Sequence, residues 1–185
     1  REAIIASINH PKPVYIRFGK KPLPNLHDST QGFEIGKAIT LRQGKDVTFI
    51  ACGETVYRAW MACELLEERG ISSGVISFHT IRPFDREALL ETAAYSTAII
   101  TVDEHNINGG LGSLCAALLM EAACWRPFRR VAIPDEHTIS GSQDEVLTHY
   151  KISPHGLANI AIDLLENMNK AKINKSVVFL ESKYE

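Results

Sequence analysis

The sequence lacks any excess of charge of one sign, any long apolar run and any pattern typical of a signal peptide. Its 185 residues include 20 Lys and Arg against 22 Asp and Glu, which gives a formal net charge of −2. A balanced charge argues against a dedicated nucleic-acid-binding protein, since such proteins usually carry a basic excess. No apolar run approaches the roughly 18 to 20 residues that a membrane-spanning helix requires. These absences predict no nucleic-acid partner, no membrane partner and a cytoplasmic location.

The sequence is also poor in the motifs that hold metals or nucleotides. Its four cysteines form no C-x-x-C pair, so the usual zinc signature is missing, and each lies in an apolar stretch: Cys52, Cys63, Cys115 and Cys124. We expect small buried hydrophobic residues in a reducing compartment. There is no G-x-x-x-x-G-K-[ST] loop, and a G-x-G-x-x-G fingerprint starting at Gly110 would need glycine where Cys115 stands.

Apolar residues make up 45% of the chain, which is enough to bury a core. The length predicts one domain with at most a small appendage. The first residue is Arg1 rather than methionine, so we expect a chain that was cut from a longer protein or processed at its start.

The middle of the chain alternates apolar runs with segments of helical spacing. The pattern predicts strands at 46–52, 74–80, 98–104 and 130–134, and helices at 55–70, 85–95, 111–125, 142–150 and 153–168. Asp85 is a predicted N-cap, and Ser142 with Glu145 reads as a capping box. Because strands and helices alternate, and runs such as AIITV are apolar throughout, we predict an α/β fold with a doubly wound, mostly parallel sheet flanked by helices.

Both ends of the chain lie outside this alternation. Glu2 to Asn9 is typical of a helix end and Val14 to Phe18 of a lone strand, which together cannot form a core. A Pro-rich, polar linker follows at 20–28, so we interpret the segment as the last piece of a preceding domain. The tail, 170–185, contains one apolar patch, Val177 to Leu180, which we interpret as an edge strand or a partner-bound segment.

Polar residues converge where the predicted strands end. The carboxyl ends of parallel strands meet at one edge of an open α/β sheet, and ligands gather there. Three histidines and several carboxylates follow this edge: His79, His105, His137, Glu54, Asp103, Glu104, Asp135 and Glu136. One interpretation is an acid/base or metal site. The other is a polar, partly buried interface, which is favoured because the spacing matches no compact metal motif.

Two further features are candidates for anion binding. Gly109 and Gly110 precede a predicted helix, whose first N–H groups can hold a phosphate. The alternative is that glycine only permits a tight strand-to-helix turn. Arg17 and Lys20 lie at the exit of the early strand, where they either hold a phosphate or carboxylate or remain solvated charges.

Five motifs, in this order, resemble the C-terminal part of transketolase-like enzymes: PVYIRFGK, FEIGKAITLRQGKDVTFIACGETVYRA, ISFHTIRPFDREAL, TVDEHNINGGLGS and IPDEHTISGS. They cover roughly residues 1–160, and their order and spacing are more specific than any one of them. The resemblance is closest to the separate C-terminal section subunits of split bacterial transketolases. Deoxyxylulose-phosphate synthases and the β subunits of 2-oxoacid dehydrogenases carry similar motifs.

The resemblance implies a division of the chain into three parts. Residues 1–33 would be the end of a pyrimidine-binding domain plus linker, 34–170 a transketolase C-terminal domain, and 171–185 a tail. The implied sheet has five strands, mostly parallel with one antiparallel, and the fifth comes from the tail or from an edge segment.

The resemblance also assigns roles to the candidate residues. Arg17 matches the pattern of the deoxyxylulose-phosphate synthases, and Lys20 stands where sugar transketolases have an arginine, so both are implied contacts of a substrate phosphate. No residue of the chain is implied to be catalytic. The remaining candidates are implied to be interdomain or dimer contacts: His79, Glu104, His105, Gly109, Gly110 and His137.

The implied activity is the transfer of two-carbon ketol units between sugar phosphates, with thiamine diphosphate and Mg²⁺ as cofactors of the complete enzyme. The family's Gly-Asp-Gly motif for the metal and the diphosphate is absent, so we expect the chain alone to bind neither cofactor and to be inactive. Its implied partners are the missing cofactor-binding and pyrimidine domains or subunit, and a second copy in a homodimer. The alternatives are a fragment of a deoxyxylulose-phosphate synthase or of a 2-oxoacid dehydrogenase, or a free-standing α/β protein that binds a metal or a nucleotide.

Overall fold

The structure is a computed structural model that describes residues 1–19, 22–27 and 32–181. Its elements in chain order are α1 (Glu2–Ile8), β1 (Ile39–Arg42), β2 (Val47–Ala51), α2 (Thr55–Glu67), β3 (Ser73–Ser77), α3 (Arg86–Tyr95), β4 (Ala98–Asn106), α4 (Leu111–Glu121), β5 (Phe128–Ile133), α5 (Gln143–His149) and α6 (Pro154–Glu181). The predicted alternation is confirmed from β2 to β5, with boundaries within a few residues of those expected.

The strands form one sheet in the order β1-β3-β2-β4-β5. β2 to β5 are parallel, and β1 pairs with β3 in the antiparallel sense. In the register, Ala51 of β2 lies opposite Ser77 of β3 and Val102 of β4. The predicted mostly parallel, five-stranded sheet is therefore confirmed, and the edge segment β1 supplies its fifth strand.

Helices cover both faces of the sheet because the central strands are apolar on both sides. All five residues of β2 are buried. Phe49 packs into a core that includes side chains of α2 and α6, whereas its neighbour Ile50 packs into a second core with α3 and α4. This two-sided burial is the reason that the strands read as continuous apolar runs in the sequence.

Two helices begin at the predicted capping residues. The Asp85 carboxylate accepts a hydrogen bond from the Ala88 N–H at 3.1 Å and so caps α3. Ser142 and Glu145 form a complete capping box at the start of α5. Both caps satisfy helix N–H groups that have no partner within the helix, which explains why short local patterns locate these starts correctly.

The four cysteines are free thiols, of which two are buried and two are partly buried. Cys63 and Cys115 are buried, as expected, and burial raises the pKa of Cys63 to about 11 and that of Cys115 to about 12. Cys52 and Cys124 are only partly buried, so the expectation of full burial is wrong for them. Cys52 lies at the end of β2, where the sheet opens towards solvent.

The strand predicted at Val14 to Phe18 and the edge-strand alternative for the tail are both wrong. Val14 to Phe18 is not a strand, because no strand among the described residues pairs with it. The part of the tail up to Glu181 continues α6 rather than forming an edge strand. Neither glycine nor proline occurs between Leu157 and Glu181, so no residue stops the helix. None of the helices in the described part of the chain combines the length and the hydropathy of a membrane-spanning segment.

Candidate functional site

The candidate residues lie at the carboxyl edge of the parallel strands β2, β3 and β4. Hydrogen bonding between β2 and β3 continues one residue beyond β3, where the Phe78 N–H donates to the Ala51 carbonyl at 2.8 Å. The registers align the ends of all three strands. Glu54, His79 and Glu104 therefore lie at the same edge, as the predicted strand ends indicated.

Asp103 holds the turn that leads from β4 into α4. Its Oδ2 accepts a hydrogen bond from the Leu111 N–H at 3.2 Å, and its Oδ1 lies 2.9 Å from His105 Nδ1. Gly109 has a φ of +75°, and a Cβ at Gly110 would lie 2.7 Å from the Asp103 carboxylate. The carboxylate thus occupies the N-terminus of α4, so the geometry supports the tight-turn interpretation of the two glycines over the anion-binding one.

The histidines at this edge do not form one cluster. Asp135 accepts a hydrogen bond from Asn106 Nδ2 at 3.2 Å, His105 faces Asp103, and His137 is exposed. Within the described ranges, no group of three or more His, Cys, Asp or Glu side chains is placed to hold a metal ion. The metal interpretation therefore has no support from the described residues.

Burial shifts the pKa values of both His79 and Cys52 at this edge. Burial, and to a lesser extent the nearby His27, lowers the pKa of His79, which favours the neutral ring. That ring lies 4.3 Å from the Phe33 ring, its Nδ1 is 2.9 Å from Thr80 Oγ1, and its Nε2 is buried without a partner. Burial raises the pKa of Cys52 to about 11, so its thiol stays protonated at neutral pH.

Arg17 and Glu104 form the main charged contact of the edge. Arg17 Nη1 donates to Glu104 Oε1 at 2.5 Å, with the Arg17 side chain 54% exposed and the Glu104 side chain 10% exposed. The second oxygen of Glu104 is buried and has no hydrogen-bond partner. The hydrogen bond to Glu104 also raises the pKa of Arg17 above its usual value. Lys20, the other predicted phosphate contact, lies outside the described residues.

Glu54 is a buried carboxylate at the same edge, where the predicted end of β2 placed it without assigning it a role. It follows β2 and is only 7% exposed. Its Oε2 accepts a hydrogen bond from Gln143 Nε2 at 2.6 Å, whereas a Cβ at Gly19 would clash with its Oε1. The available signal was its place directly after a fully apolar strand, the same signal that pointed to Glu104.

The chain matches known proteins over most of its length. The family model described as "Transketolase, C-terminal domain" matches residues 36–157. The chain is 36% identical over 167 residues to an apulose-4-phosphate transketolase subunit of Phocaeicola vulgatus, and the match covers 90% of this chain and 53% of that protein. It is 35% identical over 169 residues to the 6-deoxy-6-sulfo-D-fructose transketolase subunit SqwH of a Clostridium species, covering 91% of this chain and 52% of that protein.

A solved structure shows the same arrangement of elements. It is described as "Split gene transketolase, inactive beta4 tetramer", and it superposes with a TM-score of 0.74 at 33% identity. The superposition covers 83% of this chain and 49% of the other. The chain therefore spans about half the length of the relatives that it matches.

Proposed function

The chain belongs to the transketolase family through its C-terminal domain, and on this premise we propose that it is the C-terminal part of a thiamine-diphosphate-dependent transketolase. The complete enzyme transfers two-carbon ketol units between sugar phosphates. Residues 1–33 are the end of the pyrimidine-binding domain with a linker, 34–170 are the C-terminal domain, and 171–185 are a tail. By itself the chain is a structural, dimerisation and substrate-channel module without turnover.

The observation that carries this proposal is the extent of the similarity to transketolase subunits. Both relatives match about nine-tenths of this chain, including residues before position 36, where the family model begins. The matched region therefore includes part of the N-terminal segment as well as the α/β domain. The two relatives are named for different sugars, so membership of the family leaves the donor and the acceptor open.

The cofactor does not fit the residues that the structure describes. Mg²⁺ requires several oxygen ligands, and the described part of the chain brings no group of three or more suitable side chains together. The Gly-Asp-Gly motif is also absent from the sequence. We therefore assign thiamine diphosphate and Mg²⁺ to the partner domains or subunit and derive no catalytic step through them.

We assign the substrate phosphate to the exit of the N-terminal segment. Arg17 uses Nη1 for Glu104, its side chain is about half exposed, and among the described residues its guanidinium makes no other hydrogen bond. A guanidinium with free donors is well suited to a phosphate, and Lys20 adds a second cation to this segment. The other edge residues face the partner domains or the second copy: His79, Glu104, His105, Gly109, Gly110 and His137.

The assembly that we propose is a homodimer in the cytoplasm, completed by the subunit or domains that carry the cofactor. Exposed apolar side chains on α1 support such a partner. Ile4, Ile5 and Ile8 are 49%, 44% and 75% exposed, and α1 has no buried residue. A helix with an unburied apolar side is stabilised when another surface covers it.

The test is a ketol-transfer assay with thiamine diphosphate, Mg²⁺, a ketose phosphate donor and an aldose phosphate acceptor. It is run on the 185-residue chain, on the chain extended by its native upstream sequence, and on each with the cofactor-binding subunit. We expect activity only in the completed protein. A parallel arm with pyruvate and glyceraldehyde 3-phosphate tests the deoxyxylulose-phosphate synthase alternative.

Turnover by the 185-residue chain alone would contradict the proposal. Activity of the completed protein only in the pyruvate arm would replace it by the synthase alternative. Absence of activity in both arms for every completed form, with the cofactor bound, would contradict ketol transfer between the sugar phosphates tested. A matched control is the same assay with an unphosphorylated aldose acceptor, for which we expect a higher KM because the Arg17 contact is lost.

A further inference from the structure

Side-chain contacts rather than a strand ladder set the position of the segment that carries Arg17. Val14 and Ile16 are partly buried, whereas Tyr15 and Phe18 are 89% and 63% exposed. No described strand pairs with the segment, so its backbone lacks the ladder that usually fixes an extended chain. Its placement over the sheet edge therefore depends on the few contacts that its side chains and Gly19 make.

The first of these contacts is ionic. Glu104 projects from β4, and its side chain is only 10% exposed. Its Oε1 receives the Arg17 Nη1 donor at 2.5 Å, while its Oε2 has no hydrogen-bond partner. Arg17 is therefore the group that compensates this buried carboxylate, and the carboxylate in turn restricts the rotamers of the arginine.

The second contact is a close approach of backbone to carboxylate. Glu54 is 7% exposed, and Gln143 Nε2 donates to its Oε2 at 2.6 Å. Gly19 lies so near that an added Cβ would collide with Oε1 and come within 2.7 Å of Cδ. Because Gln143 anchors the carboxylate, glycine is the residue that fits at position 19.

The two contacts involve Arg17 and Gly19, which flank Phe18 in the sequence, and their carboxylates belong to neighbouring strands. β2 leads into Glu54 and β4 carries Glu104, and these strands are hydrogen-bonded in register up to Ala51 and Val102. Both carboxylates contribute to the raised pKa of Arg17, the contact with Glu104 more than the charge of Glu54. The segment is thus held at Arg17 by an ion pair and lies against the Glu54 carboxylate at Gly19, over a buried sheet edge.

We propose that Glu104 and Glu54 are positioning residues that fix Arg17 and Gly19 over the sheet edge and thereby present the free side of the Arg17 guanidinium to a phosphorylated substrate. This inference rests on the proposed function, because it assumes that Arg17 contacts a substrate phosphate. Neither glutamate touches the reacting atoms. Their removal weakens recognition of the phosphorylated substrate and leaves the chemical step intact.

The test compares Glu104→Gln, Glu104→Asp and Gly19→Ala in the completed enzyme with cofactor. Glu104→Gln keeps the size of the side chain and removes its charge, so we expect KM for the phosphorylated acceptor to rise about tenfold with kcat within about twofold. Glu104→Asp keeps the charge and restores part of the loss. Gly19→Ala displaces the Glu54 carboxylate and raises KM in the same direction.

The matched control is Glu87→Gln. Glu87, on α3, also pairs with a cation, Lys37 at 3.4 Å, but both side chains of this pair are exposed, whereas the Glu104 side chain is largely buried. We expect no change in KM or kcat for this variant. For an unphosphorylated acceptor, Glu104→Gln and the wild type are expected to have equal KM values.

A readout independent of turnover separates this inference from the proposed function. Hydrogen exchange of residues 14–19 in the assembled protein is expected to accelerate in Glu104→Gln and to stay unchanged in Glu87→Gln. An inactive wild-type assembly that still shows this difference would refute the function but support the positioning role. Unchanged exchange in Glu104→Gln, or an active enzyme whose KM does not change, would overturn the positioning role.

Discussion

The turn between β4 and α4 offers the sharpest test of how the edge is built. Asp103 is only 15% exposed at its side chain, accepts the Leu111 N–H at 3.2 Å and lies 2.9 Å from the half-exposed His105. Loss of a carboxylate cap costs about 1 kcal/mol, and loss of its charge at a helix N-terminus adds about 0.5 kcal/mol. The contact with His105 adds a few tenths because that ring is exposed. We expect Asp103→Ala to lower the free energy of unfolding by about 2 kcal/mol.

The assay is equilibrium unfolding of the chain in urea, followed by circular dichroism. At an unchanged m value, the midpoint falls in proportion to the lost free energy. In a thermal melt, a chain of this size loses about 2 to 4 °C per kcal/mol, so Tm is expected to fall by about 4 to 8 °C. Asp103→Asn keeps an oxygen that can accept the Leu111 N–H, and we expect it to lose less than half as much.

Asp135→Ala is the matched control for this prediction. Asp135 is exposed and accepts longer hydrogen bonds from two asparagines, at 3.2 and 3.4 Å, so its removal is expected to change stability by less than about 0.5 kcal/mol. The reasoning is refuted if Asp103→Ala unfolds within about 0.5 kcal/mol of the wild type, or if Asp135→Ala costs as much.

Three further predictions follow from local geometry. Gly74→Ala places a Cβ 2.5 Å from a backbone nitrogen of the β1–β2 turn, so denaturation should show a loss of about 3 kcal/mol, whereas Gly32→Ala, with open space around it, is expected to be neutral. Hydrogen bonds from Ser142 lower the pKa of Glu145, so its contribution to stability is present above the ordinary value of 4.5 and lost as pH falls through the lowered pKa. Glu145→Gln should therefore lower Tm at neutral pH and approach the wild type once pH has fallen through the lowered pKa, and an equal deficit above and below it would contradict this. Alkylation followed by mass spectrometry should label Cys124 before the buried Cys115, and the reverse order would contradict the burial assignment.

Local signals in the sequence were sufficient where local physics decides the outcome. The caps at Asp85 and Ser142 depend on N–H groups within three residues, so their patterns can be recognised without knowing the fold. The apolar run of β2 was equally informative, because burial on both faces requires apolar side chains at nearly every position.

Sequence patterns predicted the wrong secondary structure where pairing with a distant segment decides the outcome. Val14 to Phe18 has the composition and alternation of a strand, yet a strand exists only if another strand pairs with it, and no described strand does. The tail was ambiguous for a related reason. Its apolar patch suits a strand or a helix, and the absence of glycine and proline after Leu157 lets α6 continue.

The α/β class, the order of strands and helices along the chain and the family resemblance could all be read from the sequence, since they follow from periodicity, caps and ordered motifs. Which charged groups meet was decided only by the tertiary fold. Arg17 and Glu104 are 87 residues apart in the chain, and Gln143 and Glu54 are 89 apart. Such contacts depend on strand register and on rotamers held by packing, and neither quantity is encoded in the local pattern around any one of these residues.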